Sequence, residues 1–213
     1  MIEITEEMLD ALRAEVSNAM SPKRLRHTIA VEAMTERLCA LVCPELTLPM
    51  SAAALLHDCT KELDMAGQEI LCRKLGVPLT DGDRLAPKTL HARTAAALIP
   101  VQYPNFSHPL ILDAVRWHTT GHAEMTLTEK LLYLADYIDD SRSFENCVIL
   151  RRYFWGAEPQ RMSMEERMTL LRETLLLSFD MTVRDLLAEG APISVETMDA
   201  RNALLLEAAR AKG

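Results

Sequence analysis

The sequence predicts an all-α fold in a single domain. Hydrophobic residues make up 49% of the 213 residues, and twelve Met stand against only seven Gly, a composition that favours helices over strands. Apolar residues recur at helical spacing, and no strand-like alternation extends beyond four residues. No repeat, low-complexity tract or composition shift marks a linker. We therefore expect one helical domain in which the last two helices form a covering layer.

Charge and cysteine content narrow the class of protein. The net charge of -8 argues against nucleic acid as a partner, because proteins that bind it usually present a basic face. A small phosphorylated ligand needs only a local basic pocket and stays possible. Five Cys without a Cys-x-x-Cys pair suit a reducing cytosol, so we expect a cytoplasmic protein. No apolar run approaches the roughly 18 residues of a membrane span, and the acidic start differs from a signal peptide.

Capping residues and apolar periodicity predict the first helices. Ser21-Pro22 is a helix start, because Ser can cap the first turn and Pro suits the first helical position. The apolar run Ala52–Leu56 suits a buried helix and leads directly into His57-Asp58. Gly76 can end the helix that precedes it. The predicted helices are residues 5–19, residues 21 to about 42, the segment from Pro49 to His57, and residues 67–75.

Proline and threonine residues divide the middle of the chain. Asp136 lies among apolar residues of a predicted helix, where an unpaired carboxylate is costly to bury. The predicted features are a loop at Thr80–Asp83, a helix from Pro87 that holds His91, an irregular connection bracketed by Pro100, Pro104 and Pro109, a helix ending at Trp117 with a loop at Gly121, and a helix capped by Thr128 that holds Asp136.

The C-terminal third predicts three further helices. Ser163 and Glu166 have the spacing of a capping box, in which each side chain bonds the backbone of the other residue. Gly190 and Pro192 follow the end of that long helix. The predicted helices are residues 146–155, Ser163 to about Glu189, and Ser194 to about Ala209.

Several His and Asp residues stand at the ends of apolar helices. Each His could singly be a satisfied core residue or a surface residue. Together, imidazole and carboxylate groups suit iron or manganese, and also zinc. Their number exceeds that of a structural tetrahedral site, which favours an open catalytic site with one or two ions. The candidates are His27, His57, Asp58, His91, His118 and Asp136, whereas His108 and His122 are expected at the surface, with His122 near the pocket mouth.

The ordered His and Asp residues resemble the HD superfamily of metal-dependent phosphohydrolases, and more closely the YqeK-type bacterial hydrolases. The resemblance is good over residues 20–145 and weak near residues 200–205. It departs from the family at Cys59-Thr60 and at Asp140, neither of which replaces a ligand. The stretches that carry it are residues 26–31, Leu55-Leu56-His57-Asp58-Cys59-Thr60-Lys61-Glu62, His118-Thr119-Thr120-Gly121, and residues 132–142 with Tyr133-Leu134-Ala135-Asp136-Tyr137-Ile138.

This resemblance implies a fold, an activity and a set of site residues. The fold would be an HD-type helical bundle over residues 1–213, with a core at about 20–145 and covering helices at about 146–213. The activity would be symmetrical hydrolysis of diadenosine tetraphosphate into two ADP. The metal ligands would be His27, His57, Asp58 and Asp136; the catalytic residues Asp58, Lys61, His91 and His118; and the nucleotide-binding residues Arg24, His27, Asp58, His91, His118, Thr119, Asp136 and Arg142.

Alternatives remain open at the sequence level. Lys61 and Arg142 could instead form surface salt bridges, and Asp139 and Asp140 read as surface charges at a helix end. The cofactor implied by the resemblance is iron, with manganese, cobalt or zinc as alternatives, and one or two ions. The ligand would be a dinucleoside polyphosphate or ADP, and a homodimer is left open. Competing functions are an HD phosphatase acting on deoxynucleoside monophosphates and a non-catalytic module that senses a nucleotide.

Overall fold

A computed structural model describes residues 4–210; residues 1–3 and 211–213, which belong to the predicted domain, lie outside that range. Over the described residues the chain forms eleven α-helices, four short 3-10 turns and no strand, so the all-α prediction is confirmed. None of these helices is long and apolar enough to cross a membrane. The helices are α1 Glu6–Ala19, α2 Pro22–Val42, α3 Thr47–Leu56, α4 Met65–Leu75, α5 Asp81–Leu85, α6 Leu90–Gln102, α7 Pro109–Trp117, α8 Leu127–Ile138, α9 Glu145–Gly156, α10 Met164–Ala188 and α11 Val195–Arg210.

Helix α3 lies at the centre of the bundle. Every residue from Pro49 to Leu56 is buried, and the helix packs against α1, α2, α7 and α8. A helix that is apolar at nearly every position is stable in water only when neighbours cover each of its faces. The next two residues are His57 and Asp58, whose exposures are 0% and 3%. The C-terminal end of α3 therefore places two polar side chains in the interior of the protein.

The two long C-terminal helices pack on each other and on the rest of the bundle. Helix α10 contacts α2, α8 and α9, and α11 contacts α10. Arg201 on α11 pairs with Asp180 on α10 at 2.5 Å, and Lys130 on α8 pairs with Glu207 on α11 at 2.8 Å. The predicted helices in this region, including the Ser163 capping box, are confirmed.

The loop after α7 is held against α10 and α11. Gly121 has φ +63°, and a Cβ atom there would lie 2.8 Å from Phe179 and 3.0 Å from Ala200. Glycine is required because this left-handed backbone is strained for other residues and the space is already filled. The Thr197 hydroxyl donates to the Thr120 carbonyl at 3.1 Å. The C-terminal helices thus pack directly against the loop that follows His118.

Four local predictions are wrong. Residues 81–85 form a helix, because Thr80 and Asp83 make a capping box rather than a loop. Helix α6 starts after a 3-10 turn at Pro87–Thr89 and runs through Pro100 to Gln102. Helix α6 continues past Pro100 because a proline removes only one backbone N–H donor, and because the preceding residue, Ile99, is buried in the core. Thr126, not Thr128, caps α8, and its hydroxyl accepts from the Glu129 N–H.

Candidate active site

Six predicted site residues converge from five parts of the chain on one buried cluster, which we call the His/Asp cluster. His27 lies in α2, His57 and Asp58 follow α3, His91 lies in the first turn of α6, His118 follows α7, and Asp136 lies in the last turn of α8. Their side-chain atoms are close together: His27 Nε2 to Asp136 Oδ1 2.9 Å, His91 Nε2 to Asp58 Oδ1 3.1 Å, His57 Nε2 to Asp58 Oδ2 3.4 Å, and His118 Nε2 to Asp58 Oδ1 3.7 Å.

Three of the imidazoles are oriented by the same local contact. In each, Nδ1 lies within hydrogen-bond distance of the carbonyl oxygen three residues earlier in the chain. A carbonyl can only accept, so Nδ1 carries a proton, and in the neutral ring Nε2 is the nitrogen that has the lone pair. That lone pair faces the carboxylates of the cluster. The contacts are His57 to Ala54 at 2.6 Å, His91 to Lys88 at 2.8 Å, and His118 to Val115 at 2.6 Å.

This donor set fits a transition metal. The Nε2 atoms of His91 and His118 are 3.0 Å apart, a repulsive approach of two lone pairs unless a cation or proton lies between them. The buried Nε2 atom of His57 has no hydrogen-bond partner among residues 4–210. Two sets, His27/His57/Asp136 and His57/Asp58/His118, each have ligand atoms within 4.8 Å of one another. Imidazole nitrogen with carboxylate oxygen is the donor combination that iron, manganese and zinc accept.

Both carboxylates of the cluster are ionised. Burial alone would raise the pKa of Asp58, but the surrounding imidazoles outweigh it and hold that pKa well below its usual value. Burial opposes ionisation of Asp136 as well, and Arg142 and His27 keep its pKa well below the usual range. Arg142 pairs with Asp136 at 2.5 Å, and Arg24 forms an ion pair with Asp58. The two arginines thus lie directly beside the candidate metal ligands.

His27 has a different environment from the other three imidazoles. Burial disfavours its charged form, but its hydrogen bonds to Asp136 and Asp139 are stronger influences together and raise the pKa of His27 to about 9. In the metal-free protein His27 is therefore protonated at neutral pH. A metal ion that uses its Nε2 must replace this proton, since only the neutral imidazole can coordinate.

Lys61 and His91 form a second part of the site. The Lys61 amine is 3.1 Å from His91 Nε2, so Lys61 reaches into the cluster instead of forming the surface salt bridge considered above. Burial lowers the pKa of Lys61 and lowers the pKa of His91 to about 4. His91 is consequently neutral at pH 7. The Thr119 hydroxyl lies 3.3 Å from His91 Nε2 and joins the same group.

Asp139 was read incorrectly as a surface charge. It is fully buried, and its Oδ2 lies 3.4 Å from His27 Nδ1. The backbone N–H of Ser141 donates to its Oδ1 at 2.9 Å. The available sequence signal was its position three residues after Asp136, which places both on one side of the helix end. Asp140 lies at the surface as expected, with 68% of its side chain exposed.

Two further His residues lie outside the cluster. His108 accepts from the backbone N–H of Leu110 at 3.3 Å and caps α7. His122 is half-buried instead of lying on the surface, with Nε2 3.2 Å from Glu129 and its ring 4.6 Å from that of Trp117. Its position follows from the loop beyond Gly121, which packs inward.

A groove of about 890 Å³ opens from the cluster. The groove is lined by His118 and Asp136 of the cluster. Its other walls include the start of α9 and the C-terminal part of α10. Its volume lies within the range of pockets that hold small ligands. Lining residues include Lys61, Lys88, His118, Thr119, Asp136, Arg142, Phe144, Glu145, Asn146, Asp185 and Glu189.

The chain is similar to known proteins over most of its length. The HD domain family matches residues 24–140. A symmetrical bis(5'-nucleosyl)-tetraphosphatase of Halalkalibacterium halodurans is 30% identical over 190 residues, covering 88% of this chain and 92% of that protein. The Bacillus subtilis protein of the same name is 31% identical over 147 residues, covering 68% and 70%. A Clostridium acetobutylicum structure, described as a predicted HD superfamily hydrolase involved in NAD metabolism, aligns with a TM-score of 0.78 at 28% identity, covering 96% of this chain and all of that one.

Proposed function

Because the chain belongs to the HD domain family, we propose that it hydrolyses diadenosine tetraphosphate symmetrically into two ADP with a bound metal ion. The observation that carries the proposal is the convergence of the Nε2 atoms of three imidazoles on the carboxylates of the cluster, both of which are ionised. Such a site has the donors of a catalytic metal centre. The curated relatives, which are named for this reaction, support the substrate.

We assign the metal to His27, His57, Asp58 and Asp136. These residues combine two imidazoles with two carboxylates and offer no thiolate, and we propose iron as the metal, with manganese, cobalt or zinc as alternatives. A metal in this position would supply Lewis acidity for polarising a phosphoryl oxygen and activating a water molecule. His91 and His118 are left to face the phosphates or to hold a second ion.

The charged side chains around the cluster bind and orient the polyphosphate. Arg24, Lys61 and Arg142 provide positive groups for phosphate oxygens whose charge grows as the phosphoanhydride bond breaks. Asp58 is ionised, and its carboxylate can bind the metal and orient the attacking water. His91 is neutral at pH 7 and therefore does not repel the arginines or Lys61. ADP is a fair leaving group, so no nucleophilic side chain is required.

The phosphoanhydride bond that is hydrolysed depends on how many phosphates of the substrate the site binds. If Arg24, Thr119 and Arg142 hold one ADP unit, its second phosphorus lies at the reacting position, and both products are ADP. If the site bound one phosphate fewer, the first phosphorus would lie at the reacting position, and the products would be AMP and ATP. Because misplacement of about 1 Å is costly in such reactions, we expect one product pattern rather than a mixture.

The test is the earliest product mixture formed from diadenosine tetraphosphate by protein loaded with iron, manganese, cobalt or zinc. We expect only ADP, and we expect the His57→Ala variant to lose metal content and turnover together while Asp140→Ala keeps both. Equal amounts of AMP and ATP would reject the symmetrical cut. Tight ADP binding without hydrolysis under any metal would favour a nucleotide sensor, and preferential release of phosphate from deoxynucleoside monophosphates would favour a phosphatase.

A further inference from the structure

Phe144 is a solvent-exposed aromatic residue in the wall of the groove. Its side chain is 71% exposed, and it stands immediately before α9, two residues after Arg142. Single exposed apolar residues are common and by themselves indicate nothing. Phe144 differs because it lines the same groove as His118, Asp136 and Arg142. An aromatic ring is thus available beside the groups proposed to hold phosphates.

The segment that carries Phe144 is held in place by the protein. Arg151 donates from Nε to the Ile138 carbonyl at 2.8 Å and from Nη2 to the Arg142 carbonyl at 2.9 Å. Asn146, in the first turn of α9, donates to Asp185 of α10 at 2.7 Å. These bonds fix the backbone on both sides of the ring. A ring on a fixed backbone loses little conformational entropy when it packs against a ligand.

Charge along the groove orients a nucleotide within it. Lys61 and Arg142 contact the cluster, whereas the other charged lining residues include Glu145 at the start of α9, and Asp185 and Glu189 in and just after α10. Phosphates are attracted to the two basic residues and repelled by the carboxylates. A nucleoside is uncharged and carries hydroxyl groups and, in adenosine, an exocyclic amine, which can donate to carboxylates. Phe144 lies in the chain between the basic Arg142 and the acidic Glu145.

We propose that Phe144 is the stacking platform for a purine base of the dinucleotide substrate. This inference rests on the proposed function, because that function places the phosphates at the cluster. Base stacking on an aromatic ring does not require a particular base, since every base has a π-face. Guanosine diphosphate should therefore bind nearly as well as ADP, and diguanosine tetraphosphate should also be cleaved.

The experiment compares Phe144→Ala and Phe144→Trp with a matched control, Tyr153→Ala. Tyr153 is another exposed aromatic of α9, but it lines a separate groove of about 480 Å³ together with Glu165, Glu166 and Glu173. For each protein we would measure the Kd of ADP and of inorganic pyrophosphate by calorimetry, and kcat and KM for diadenosine tetraphosphate.

Phe144→Ala should weaken ADP binding and raise KM by about 5- to 150-fold, the loss expected for one stacked base. Its pyrophosphate Kd and its kcat should stay within about twofold of wild type, and Tyr153→Ala should match wild type throughout. Phe144→Trp should restore ADP affinity, and ADP should quench its fluorescence more than that of the wild type, which already has two Trp.

Three results would overturn the inference. ADP could bind Phe144→Ala as tightly as wild type. Pyrophosphate binding could fall together with ADP binding, which would mean that the substitution acts on Arg142 rather than on the base. The substitution could also change the oligomeric state while leaving ADP affinity unchanged, which would assign the ring to a contact between copies of the chain. Failure of the wild type to cleave the substrate, with Phe144-dependent ADP binding intact, would reject the proposed function alone.

Discussion

At the scale of single residues, Asp139 contacts the His/Asp cluster through His27, although it would not itself bind a metal. Its carboxylate faces His27 Nδ1 at 3.4 Å and accepts from Ser141, so it can fix the orientation of the His27 ring. A carboxylate on the far nitrogen of a metal-binding imidazole also raises the basicity of the coordinating nitrogen. Asp139 therefore acts as a positioning residue for His27.

We predict that Asp139→Asn weakens metal binding by about 10- to 100-fold, the usual effect of losing such a partner. Competition with a coloured chelator measures the metal Kd directly, without reference to turnover. Asp140→Asn is the control, because Asp140 is the adjacent carboxylate and 68% of its side chain is exposed. An unchanged metal Kd in Asp139→Asn would show that His27 is oriented by other contacts.

Lys61 allows a second prediction at this scale. Its amine lies 3.1 Å from His91, and burial lowers its pKa, so it belongs to the site and not to the surface. Lys61→Ala should lower kcat by about 10²- to 10³-fold, as removal of one group that stabilises developing charge typically does. Metal content should not change. Lys74→Ala, at an exposed position in α4, serves as control, and a wild-type kcat in Lys61→Ala would remove this residue from the mechanism.

At the scale of elements, the loop between α7 and α8 is a close-packed junction. Gly121→Ala would combine a positive φ of +63° with Cβ contacts of 2.8 Å to Phe179 and 2.9 Å to Met125. We predict a loss of about 2–5 kcal/mol in the free energy of unfolding, from backbone strain plus overpacking. Urea denaturation monitored by circular dichroism measures it.

The control for this substitution is Gly190→Ala. Gly190 has a nearly equal φ of +64°, but a Cβ there would meet nothing within 4 Å. Its cost should be limited to backbone strain, about 1–2 kcal/mol. Equal losses in the two variants would mean that the packing around Gly121 adjusts without cost, contrary to the close fit seen here.

The local predictions show which element boundaries depend on nearby residues alone. Ser21 and Ser163 cap their helices as predicted, because a cap requires only residues within one turn. The capping box of Thr80 and Asp83 was also present in the sequence, but Gly82 between them favoured a loop. Its position three residues after Asp136 could have placed Asp139 on the side of the site, but its complete burial depends on its contact with His27 of α2, which is distant in sequence.

At the scale of the whole molecule, the His/Asp cluster joins five segments that are distant in sequence, and the proposed metal ligands join three of them. His27, His57 and Asp136 alone connect α2, α3 and α8, and the remaining residues of the cluster add α6 and α7. A ligand that binds only the folded state stabilises it by an amount set by its concentration relative to Kd. Metal should therefore stabilise the entire bundle.

At a free metal concentration of 100 times Kd, we predict a gain of about 2.7 kcal/mol. For a chain of this length that gain corresponds to a rise in Tm of about 5–10 °C. Thermal denaturation with and without a chelator measures the shift. His57→Ala should lose most of it, whereas Asp140→Ala should keep it; an equal shift in both variants would locate the stabilising ion elsewhere.

The overall architecture and the members of the cluster could be predicted, because apolar segments and the polar residues at their ends are visible in the sequence itself. A continuous apolar run predicted the central helix α3, and position at the ends of apolar helices, together with the family resemblance, predicted His57, His91 and His118. The family resemblance implied that Lys61 belongs to the site, but contacts across the bundle could not be predicted from the residue pattern. Lys61 beside His91 and the groove between α9 and α10 depend on the packing of helices that are far apart in sequence.

The ends of α3 and α7 have one further consequence for any cation in the cluster. His57 and His118 are the C-terminal caps of these two helices, so both helices point their carbonyl ends toward the site. The aligned peptide dipoles of a helix place about half a negative charge at that end, and two helices together provide about one. This field belongs to the main chain and survives replacement of a side chain. Variants that lack one imidazole should therefore retain a weak attraction for cations.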